Sequence, residues 1–425
     1  MAANAFRDRG IPHRARWRGR PQLAPSPPVT LPAENADHPL AGVRVLDMSR
    51  VLAGPYVGRM LSDLGADVVK LEPPEGDVTR NWGFKRHGLS GYYTQQNVGK
   101  RNVCIDLRVP GGAALVERLA SRADVLVENF RPGVLDQYGL GWPVPAAKNP
   151  RLGMLSITGF GQEGPESRRP AYATVVHAES GIAHRQALLD GTPPVDPRVS
   201  IADMDAALHG LVGVLAALVM RARTGRGQHV DIGMLDSVLA TDDYVHLVLD
   251  GMSAEEGIIV NETWDIVGGP ILIAGGFRWT WRRLHEVHGL EDGVPDAAPL
   301  ADKIRARRDA IGRFFATFDD RANLLAALDR AELAWGEVRS TEAALGSPTA
   351  VARGAIAEVD DRGGGTRRVI QSPYRFSDAA SGARGGASRR GEHNHLVLAE
   401  WLALDADEID ALALSGVLLA EKPAR

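Results

Sequence analysis

The 425-residue sequence contains one cysteine, few aromatic residues and almost no excess charge of either sign. Because Cys104 is alone, no disulfide can form within the chain, and a reducing, cytoplasmic setting is expected. A formal net charge of −4 offers no basic surface for nucleic acid or membrane headgroups. No apolar run is expected to reach the length of a bilayer span; the longest, after Asp203, contains glycine and histidine and ends in basic residues. These features predict a globular protein that binds neither nucleic acid nor membrane.

Composition also divides the chain into segments. Residues 1–38 contain six arginines and a proline cluster without any apolar period, which predicts a disordered N-terminal extension. Residues 39–245 read as a large domain and residues 250–375 as a smaller α+β domain. The C-terminal segment comprises residues 380–425. It begins with a linker or loop rich in Gly, Ser and Arg at 380–391 and continues in helices.

The large domain begins with a strand at residues 43–48, a turn, a helix at 56–64 and a second strand at 66–72. This order predicts a parallel, Rossmann-like sheet with right-handed crossovers. The first turn lacks the Gly-x-Gly-x-x-Gly pattern that seats a dinucleotide pyrophosphate. The loop from Gly159 to Gly164 matches those letters, but Pro165 follows where the fingerprint requires a helix. A nicotinamide dehydrogenase is therefore a poor fit.

Ligands of open parallel sheets bind at the carboxyl ends of strands, so the loops that follow strands hold the candidate contacts. Asn129 follows one strand, although a turn residue before Pro132 is an equally good interpretation. Gly159 and Gly161 follow another strand, where their backbone N–H groups could stabilise an oxyanion. Cys104 lies in a strand-like segment and is expected to be a buried structural thiol.

Asp203 begins the longest apolar helix, immediately after a short β-like run. Leucines and a valine recur in that helix at the 3.6-residue period and predict its buried face: Leu208, Leu211, Val212, Leu215 and Leu218. A carboxylate is favoured at a helix start by the helix dipole. From these residues alone an ordinary N-cap is the simpler interpretation.

No metal site is predicted. His393 and His395 are two residues apart, but the neighbouring sequence provides no third ligand.

Eight segments, in their order and spacing, resemble the class III CoA-transferase family, also called CaiB/BaiF. They are LAGVRVLD (40–47), AGP (53–55), LGADVVKLE (64–72), NVGKR (97–101), DVLVENFRPG (124–133), TGFGQEGP (158–165), TGRGQ (224–228) and GEH (391–393). The resemblance implies a Rossmann-like large domain to which residues 380–425 return, a smaller α+β domain, and an interlocked homodimer. It implies transfer of CoA between an acyl-CoA and a small carboxylic acid, with no tightly bound cofactor.

The resemblance also assigns roles to individual residues. Asp203 matches the nucleophile that forms an aspartyl anhydride and then an aspartyl-CoA thioester, with Gly159 and Gly161 as oxyanion donors. Glycines of the smaller domain, Gly275 and Gly276, are donors by analogy. CoA contacts are expected at Val51, Ala53, Ile105, Arg108 and Asn129, with Arg101 as a further cation.

Four positions depart from the formyl-CoA transferase pattern: Arg50, Leu52, Pro73 and Gln137 stand where that branch has His, Gln, Arg and Arg. Leu52 replaces an amide that handles a small polar acid, so formate and oxalate are not expected as substrates. Loss of the two arginines leaves Arg101 or Arg108 to meet the CoA phosphates. These departures keep open a non-catalytic CoA-binding partner subunit.

A 2-methylacyl-CoA racemase is the other alternative within the family. Racemases pair the aspartate with a histidine, and the matching position here is Tyr172. Tyrosine titrates near pH 10 and is a poor partner for proton exchange at neutral pH. Transferase is therefore preferred to racemase.

Overall fold

The computed structural model describes residues 37–253 and 261–421. The predicted N-terminal extension lies outside the described residues, apart from its last two positions. The strands are β1 (Arg44–Asp47), β2 (Asp67–Glu72), β3 (Lys85–Arg86), β4 (Leu89–Ser90), β5 (Arg101–Cys104), β6 (Val125–Glu128), β7 (Gly153–Thr158), β8 (His229–Gly233), β9 (Glu262–Trp264), β10 (Ile271–Ile273), β11 (Trp335–Glu337), β12 (Ile356–Asp360) and β13 (Thr366–Ile370).

Helices join most of these strands, as the alternating sequence pattern predicts. They are α1 (Ala53–Asp63), α2 (Gly91–Asn97), α3 (Gly112–Arg122), α4 (Pro143–Lys148), α5 (Ala173–Glu179), α6 (Ile182–Asp190), α7 (Ile201–Thr224), α8 (Met234–Thr241), α9 (Val245–Leu249), α10 (Phe277–His288), α11 (Leu300–Ala316), α12 (Arg321–Arg330), α13 (Thr341–Leu345), α14 (Pro348–Ala352), α15 (Asn394–Leu402) and α16 (Ala406–Leu414).

A six-stranded sheet in the order β5-β2-β1-β6-β7-β8 organises the large unit. Every neighbouring pair in it is parallel. Because a parallel sheet needs crossover helices, both of its faces are covered. The predicted α/β architecture with a Rossmann-like parallel sheet is confirmed.

Each face of the sheet has its own apolar core. Helices α1, α5, α7 and α8 pack on one face. Helix α3 packs on the other face together with α15 and α16, whose Val397, Trp401 and Ile409 share a core with Leu119. The C-terminal segment thus buries its side chains against strands formed by the first part of the chain. The domain boundaries themselves stay a prediction.

A second, smaller unit has a separate core. Strands β11-β10-β9 form an antiparallel sheet with β10 in the middle. Side chains of β10 pack against α10, α11 and α12, with Ile273, Leu284, Ile311 and Leu328 nearly inaccessible to solvent. The glycine-flanked strand β10 is thus paired on both of its sides.

Helix α7 corrects one prediction. Its buried face consists mainly of small residues, whereas Leu208 and Val212 are 46% and 64% exposed. The helix is apolar on all sides, so its periodicity could not identify the inner face. The close approach of α7 to the sheet determines which face is buried. A Cβ on Gly210 would lie 3.0 Å from Leu155, and one on Gly213 would lie 2.6 Å from Val230.

Helix α7 also bears on membrane crossing. By length and composition alone it could span a bilayer, with a mean hydropathy of 1.6, so the prediction that no apolar run is long enough was wrong. A core helix of a globular protein meets the same criterion, and α7 packs against α1, β7 and β8.

Candidate active site

A cavity of about 600 Å³ opens at the carboxyl edge of the parallel sheet. It is lined by the residue that directly follows each of the six strands of the sheet: Met48, Pro73, Ile105, Asn129, Gly159 and Met234. This is the edge at which open α/β sheets bind ligands. The cavity brings together seven of the nine predicted site residues, namely Val51, Ala53, Ile105, Arg108, Asn129, Gly159 and Asp203.

Asp203 lies in the first turn of α7 and lines the cavity. The N-cap interpretation is wrong, because Ser200 occupies that position and makes no side-chain capping bond. Burial raises the pKa of the Asp203 carboxyl to about 6. No group in the described parts of the chain donates a hydrogen bond to this carboxylate. The site therefore contains a carboxylate that is partly withdrawn from water and free to react.

The turn before α1 forms another wall of the cavity and is strained. Val51 has a φ of 70°, a left-handed conformation that β-branched residues rarely adopt. Asn129 holds the preceding residue from both sides: its Oδ1 accepts from the Arg50 N–H at 2.7 Å and its Nδ2 donates to the Arg50 carbonyl at 2.8 Å. The Val51 N–H donates to Asp77 Oδ2 at 3.1 Å. Asn129 thus shapes the cavity as well as lining it.

Buried charged side chains hold this turn in place. Lys70 donates to the Ser49 carbonyl and lies 3.4 Å from Asp77 Oδ2. Lys100 pairs with Asp47 at 2.7 Å, and both side chains are almost inaccessible to solvent. Two positive and two negative side chains balance one another there, as buried charges require. The LAGVRVLD and NVGKR segments owe part of their pattern to this network.

Arginines surround the mouth of the cavity, but they are not equivalent. Arg108 is bound by Asp106 at 2.8 Å and by Glu75 at 2.8 Å, so its positive charge is already offset. Arg50 and Arg131 also line the cavity and are exposed. Within residues 37–253 and 261–421, neither forms an ion pair. Neither arginine was among the site residues predicted from the sequence.

Two predicted residues are not brought to the cavity. Arg101 pairs with Asp67 and Glu400 at the amino-terminal edge of the sheet, because it begins β5 and Asp67 begins β2. A residue that starts a parallel strand lies a full strand length from the ligand edge. Gly161 is buried beyond the cavity wall, where the next residue, Gln162, donates its N–H to Asp231.

Gly159 remains in the wall and has no space for a side chain. A Cβ built on it would lie 2.3 Å from the Ala171 Cβ. Its carbonyl accepts from the Leu235 N–H, whereas its own N–H has no partner among the described residues. Gly275 and Gly276, the donors expected by analogy, do not line the cavity of this chain.

Some of the positions at which this chain departs from the family pattern line the cavity, and others do not. Tyr172 lines the cavity and is 70% exposed, so the position that would bear the racemase histidine does face the site. Pro73 also lines the cavity, whereas Gln137 does not. Leu52 precedes α1 and is 8% exposed.

A contact that the sequence did not reveal holds the start of α7. His177 on α5 accepts the Ala202 N–H at its Nε2 (3.1 Å), and its Nδ1 lies 2.8 Å from Asp196 Oδ1. Helix α6 and a loop separate His177 from Asp196 and Ala202, and no local pattern links the three residues.

Two further predictions concern residues away from the cavity. Cys104 is fully buried, and burial raises the pKa of its thiol to about 12, in keeping with a structural role. Among the described residues, no three side chains of the metal-ligating types converge. His393 accepts the Asn102 N–H at Nδ1.

Comparison with known proteins matches residues 40–394 to the model of CoA-transferase family III. The chain belongs to CoA-transferase family III. It is 33% identical over 386 residues to the succinate–glutarate CoA-transferase of Agrobacterium fabrum, covering 86% of this chain and 96% of that one. It is 32% identical over 414 residues to the succinyl-CoA–D-citramalate CoA-transferase of Chloroflexus aurantiacus, covering 91% and 100%.

The structural comparison agrees with this family. A CaiB/BaiF family protein from Brucella suis superimposes with a TM-score of 0.72 and 31% identity, over 86% of this chain and 100% of that one. As a member of CoA-transferase family III, the chain is an enzyme that transfers CoA between an acyl-CoA and a carboxylic acid. The predicted family, fold and transferase activity are confirmed.

Proposed function

We propose that Asp203 is the nucleophile of this CoA-transferase and that CoA is carried on its carboxyl group. The supporting observation is its location: the carboxylate lines the cavity shared with Val51, Ala53, Ile105 and Asn129. Partial burial removes water that would otherwise stabilise the carboxylate, and this increases its reactivity toward a thioester.

The reaction is a series of acyl transfers. The Asp203 carboxylate attacks the thioester carbonyl, forming a mixed anhydride and releasing CoA thiolate. The thiolate attacks the aspartyl carbonyl, which gives the aspartyl-CoA thioester and the free donor acid. The acceptor carboxylate displaces CoA thiolate to form a second anhydride, and the thiolate then attacks the acceptor's acyl carbonyl and frees Asp203. Each bond formed replaces one broken, so the sequence of steps requires no oxidant or reductant.

The backbone N–H of Gly159 stabilises the negative charge that develops in this reaction. Each step passes through a tetrahedral oxyanion, which N–H donors in a site shielded from water stabilise strongly. In the part of the chain that the structure describes, the Gly159 N–H has no other partner, and Gly159 lines the same cavity as Asp203. Gly161 lies outside the cavity and is not assigned this role.

The substrates proposed are four- and five-carbon dicarboxylic acids, with succinyl-CoA as donor. The relatives from Agrobacterium fabrum and Chloroflexus aurantiacus are named for succinate, glutarate and D-citramalate. A panel of free acids, including formate and oxalate, is incubated with succinyl-CoA and followed by mass spectrometry of the CoA esters. Exchange with formate or oxalate alone would overturn this assignment.

The nucleophile is tested by trapping. Enzyme mixed with succinyl-CoA and then hydroxylamine is expected to carry a hydroxamate at residue 203. Asp203→Asn is expected to lose both the adduct and at least about 1000-fold of the turnover. Asp205→Asn is the matched control, since Asp205 lies on the same helix and bonds to Thr241 outside this cavity. Turnover that survives Asp203→Asn contradicts the assignment.

We also propose the homodimer that the family resemblance implies. Helix α7 exposes Leu208, Val212 and Val219, and α9, which follows α8 in the chain, exposes Leu249 at 80%. Apolar surface of this extent is typical of a protein interface. The proposed occupant is a second copy of this chain, in the interlocked arrangement.

Light scattering after gel filtration is expected to give twice the 45.6 kDa mass of one chain. Val212→Arg is expected to reduce the dimer fraction or the yield of folded protein. The control is Val351→Arg, at a similarly exposed valine on α14. A monomeric wild type would contradict the proposal.

A further inference from the structure

His177 provides a hydrogen-bond acceptor at the start of the helix that holds Asp203. The first N–H groups of any helix lack intrahelical partners. In α7 the N-cap Ser200 provides no side-chain acceptor. Instead, the Ala202 N–H donates to His177 Nε2 at 3.1 Å, from a histidine that is 1% exposed. The capping acceptor therefore comes from α5, 25 residues earlier in the chain.

Asp196 determines which ring nitrogen can accept. Its Oδ1 lies 2.8 Å from His177 Nδ1, and a carboxylate can only accept there, so Nδ1 carries the proton. A neutral imidazole with its proton on Nδ1 leaves Nε2 with a free lone pair. That lone pair is what the Ala202 N–H requires. The Asp196–His177–Ala202 contacts are therefore mutually consistent.

We infer that His177, oriented by Asp196, is a positioning residue for catalysis: it holds the first turn of α7 so that Asp203 is aimed into the cavity. Ala202 adjoins Asp203, so a displacement of its backbone moves the carboxylate directly. Misplacement of a reacting group by about 1 Å can cost about 100-fold in rate. This inference rests on the proposed nucleophilic role of Asp203.

Two amide variants of His177 distinguish the contributions of its two ring nitrogens. In His177→Gln the terminal amide reaches the place of Nε2, so its oxygen can still accept from Ala202. In His177→Asn the amide reaches only the place of Nδ1, so the bond to Asp196 survives and the acceptor for Ala202 is lost. Relative to wild type, kcat is expected to fall by about tenfold or more in His177→Asn and by no more than about threefold in His177→Gln. The KM for acyl-CoA is expected to stay within about twofold in both.

A second pair of variants changes Asp196, the half-exposed partner of His177. Asp196→Asn retains an oxygen that accepts from Nδ1–H and is expected to preserve kcat. Asp196→Ala frees the ring to place its proton on Nε2, and kcat is expected to fall by about threefold or more. Because the Asp196 side chain is 45% exposed, both proteins are expected to fold. His184→Asn, at an exposed histidine of the next helix, is the control.

Amide hydrogen exchange at Ala202 gives a readout independent of activity. Exchange is expected to be slow in wild type and His177→Gln, and to accelerate in His177→Asn and Asp196→Ala. Equal exchange in all four proteins, or equal kcat in the Asn and Gln variants, overturns the inference. If Asp203→Asn remains active while exchange follows the expected order, the proposed nucleophile fails and with it the catalytic part of this inference, whereas the contact itself stands.

Discussion

Gly159 and Ala171 pack so closely that a Cβ on Gly159 would lie 2.3 Å from the Ala171 Cβ. Real Cβ atoms do not approach this closely, so one of the two chain segments must move if the glycine is replaced. Both residues line the cavity that contains Asp203. The shape of the site thus depends on the absence of one methyl group.

Gly159→Ala is expected to destabilise the fold by about 1–3 kcal/mol and to lower kcat by about tenfold or more, because the wall and its N–H donor are displaced. Urea unfolding and steady-state kinetics measure the two effects. The double variant Gly159→Ala with Ala171→Gly restores the space and is expected to recover most of both losses. Gly336→Ala, at a glycine with open space around it, is the control. Absence of rescue would show that the steric account is wrong.

Asn129 is expected to act mainly on CoA binding. Asn129→Asp keeps an acceptor for the Arg50 N–H but cannot donate to the Arg50 carbonyl, and the strained turn at Val51 loses one of its supports. The KM for acyl-CoA is expected to rise about tenfold, with a smaller change in kcat. Asn149→Asp is the matched control, since Asn149 also bonds to backbone on both sides but lies outside the cavity. An equal effect of both substitutions would contradict this.

The rate of acylation is expected to depend on the ionisation of Asp203. Burial raises the pKa of this carboxyl to about 6, and only the carboxylate is nucleophilic. The rate of hydroxylamine-trappable adduct formation should be constant above pH 7 and fall about tenfold per pH unit below pH 6. Rapid quenching with succinyl-CoA measures it, and protein fluorescence verifies that the fold persists. A rate that stays constant to pH 4.5 is incompatible with the raised pKa.

The same raised pKa predicts a stability change of defined sign. In the unfolded chain the carboxyl has its ordinary pKa of 3.8, so the folded protein binds this proton more tightly. Above pH 6 the buried carboxylate therefore destabilises the fold, and the cost disappears as pH falls from about 6 toward 4. Asp203→Asn is expected to be more stable than wild type at pH 7, by roughly 1–3 kcal/mol.

Urea unfolding at pH 7.5 and pH 4.5 tests this linkage. The advantage of Asp203→Asn should shrink at the lower pH, where the wild-type carboxyl is protonated. Asp205→Asn, which removes a carboxylate bonded to Thr241, is expected to give no gain at either pH. A destabilised Asp203→Asn at pH 7.5 would mean that the carboxylate stabilises its surroundings instead.

Local sequence patterns determined the parallel sheet and most of the cavity. Asn129 and Gly159 could be recognised from their place after a strand, whereas Ile105 was identified only through the family resemblance. The position of Asp203 at a helix start followed from the same alternation, supported by the family motifs. Such features depend on neighbours in sequence, and sequence patterns report neighbours well.

Tertiary packing decided the remainder. Arg101 was predicted at the site, but strand direction puts it at the opposite edge beside Asp67. The inner face of α7 consists mainly of small residues, because close contact with β7 and β8 leaves no space for side chains at Gly210 and Gly213. The cap on Ala202 comes from His177, 25 residues away. In each case the deciding partner is distant in sequence, so only the folded chain brings the two together.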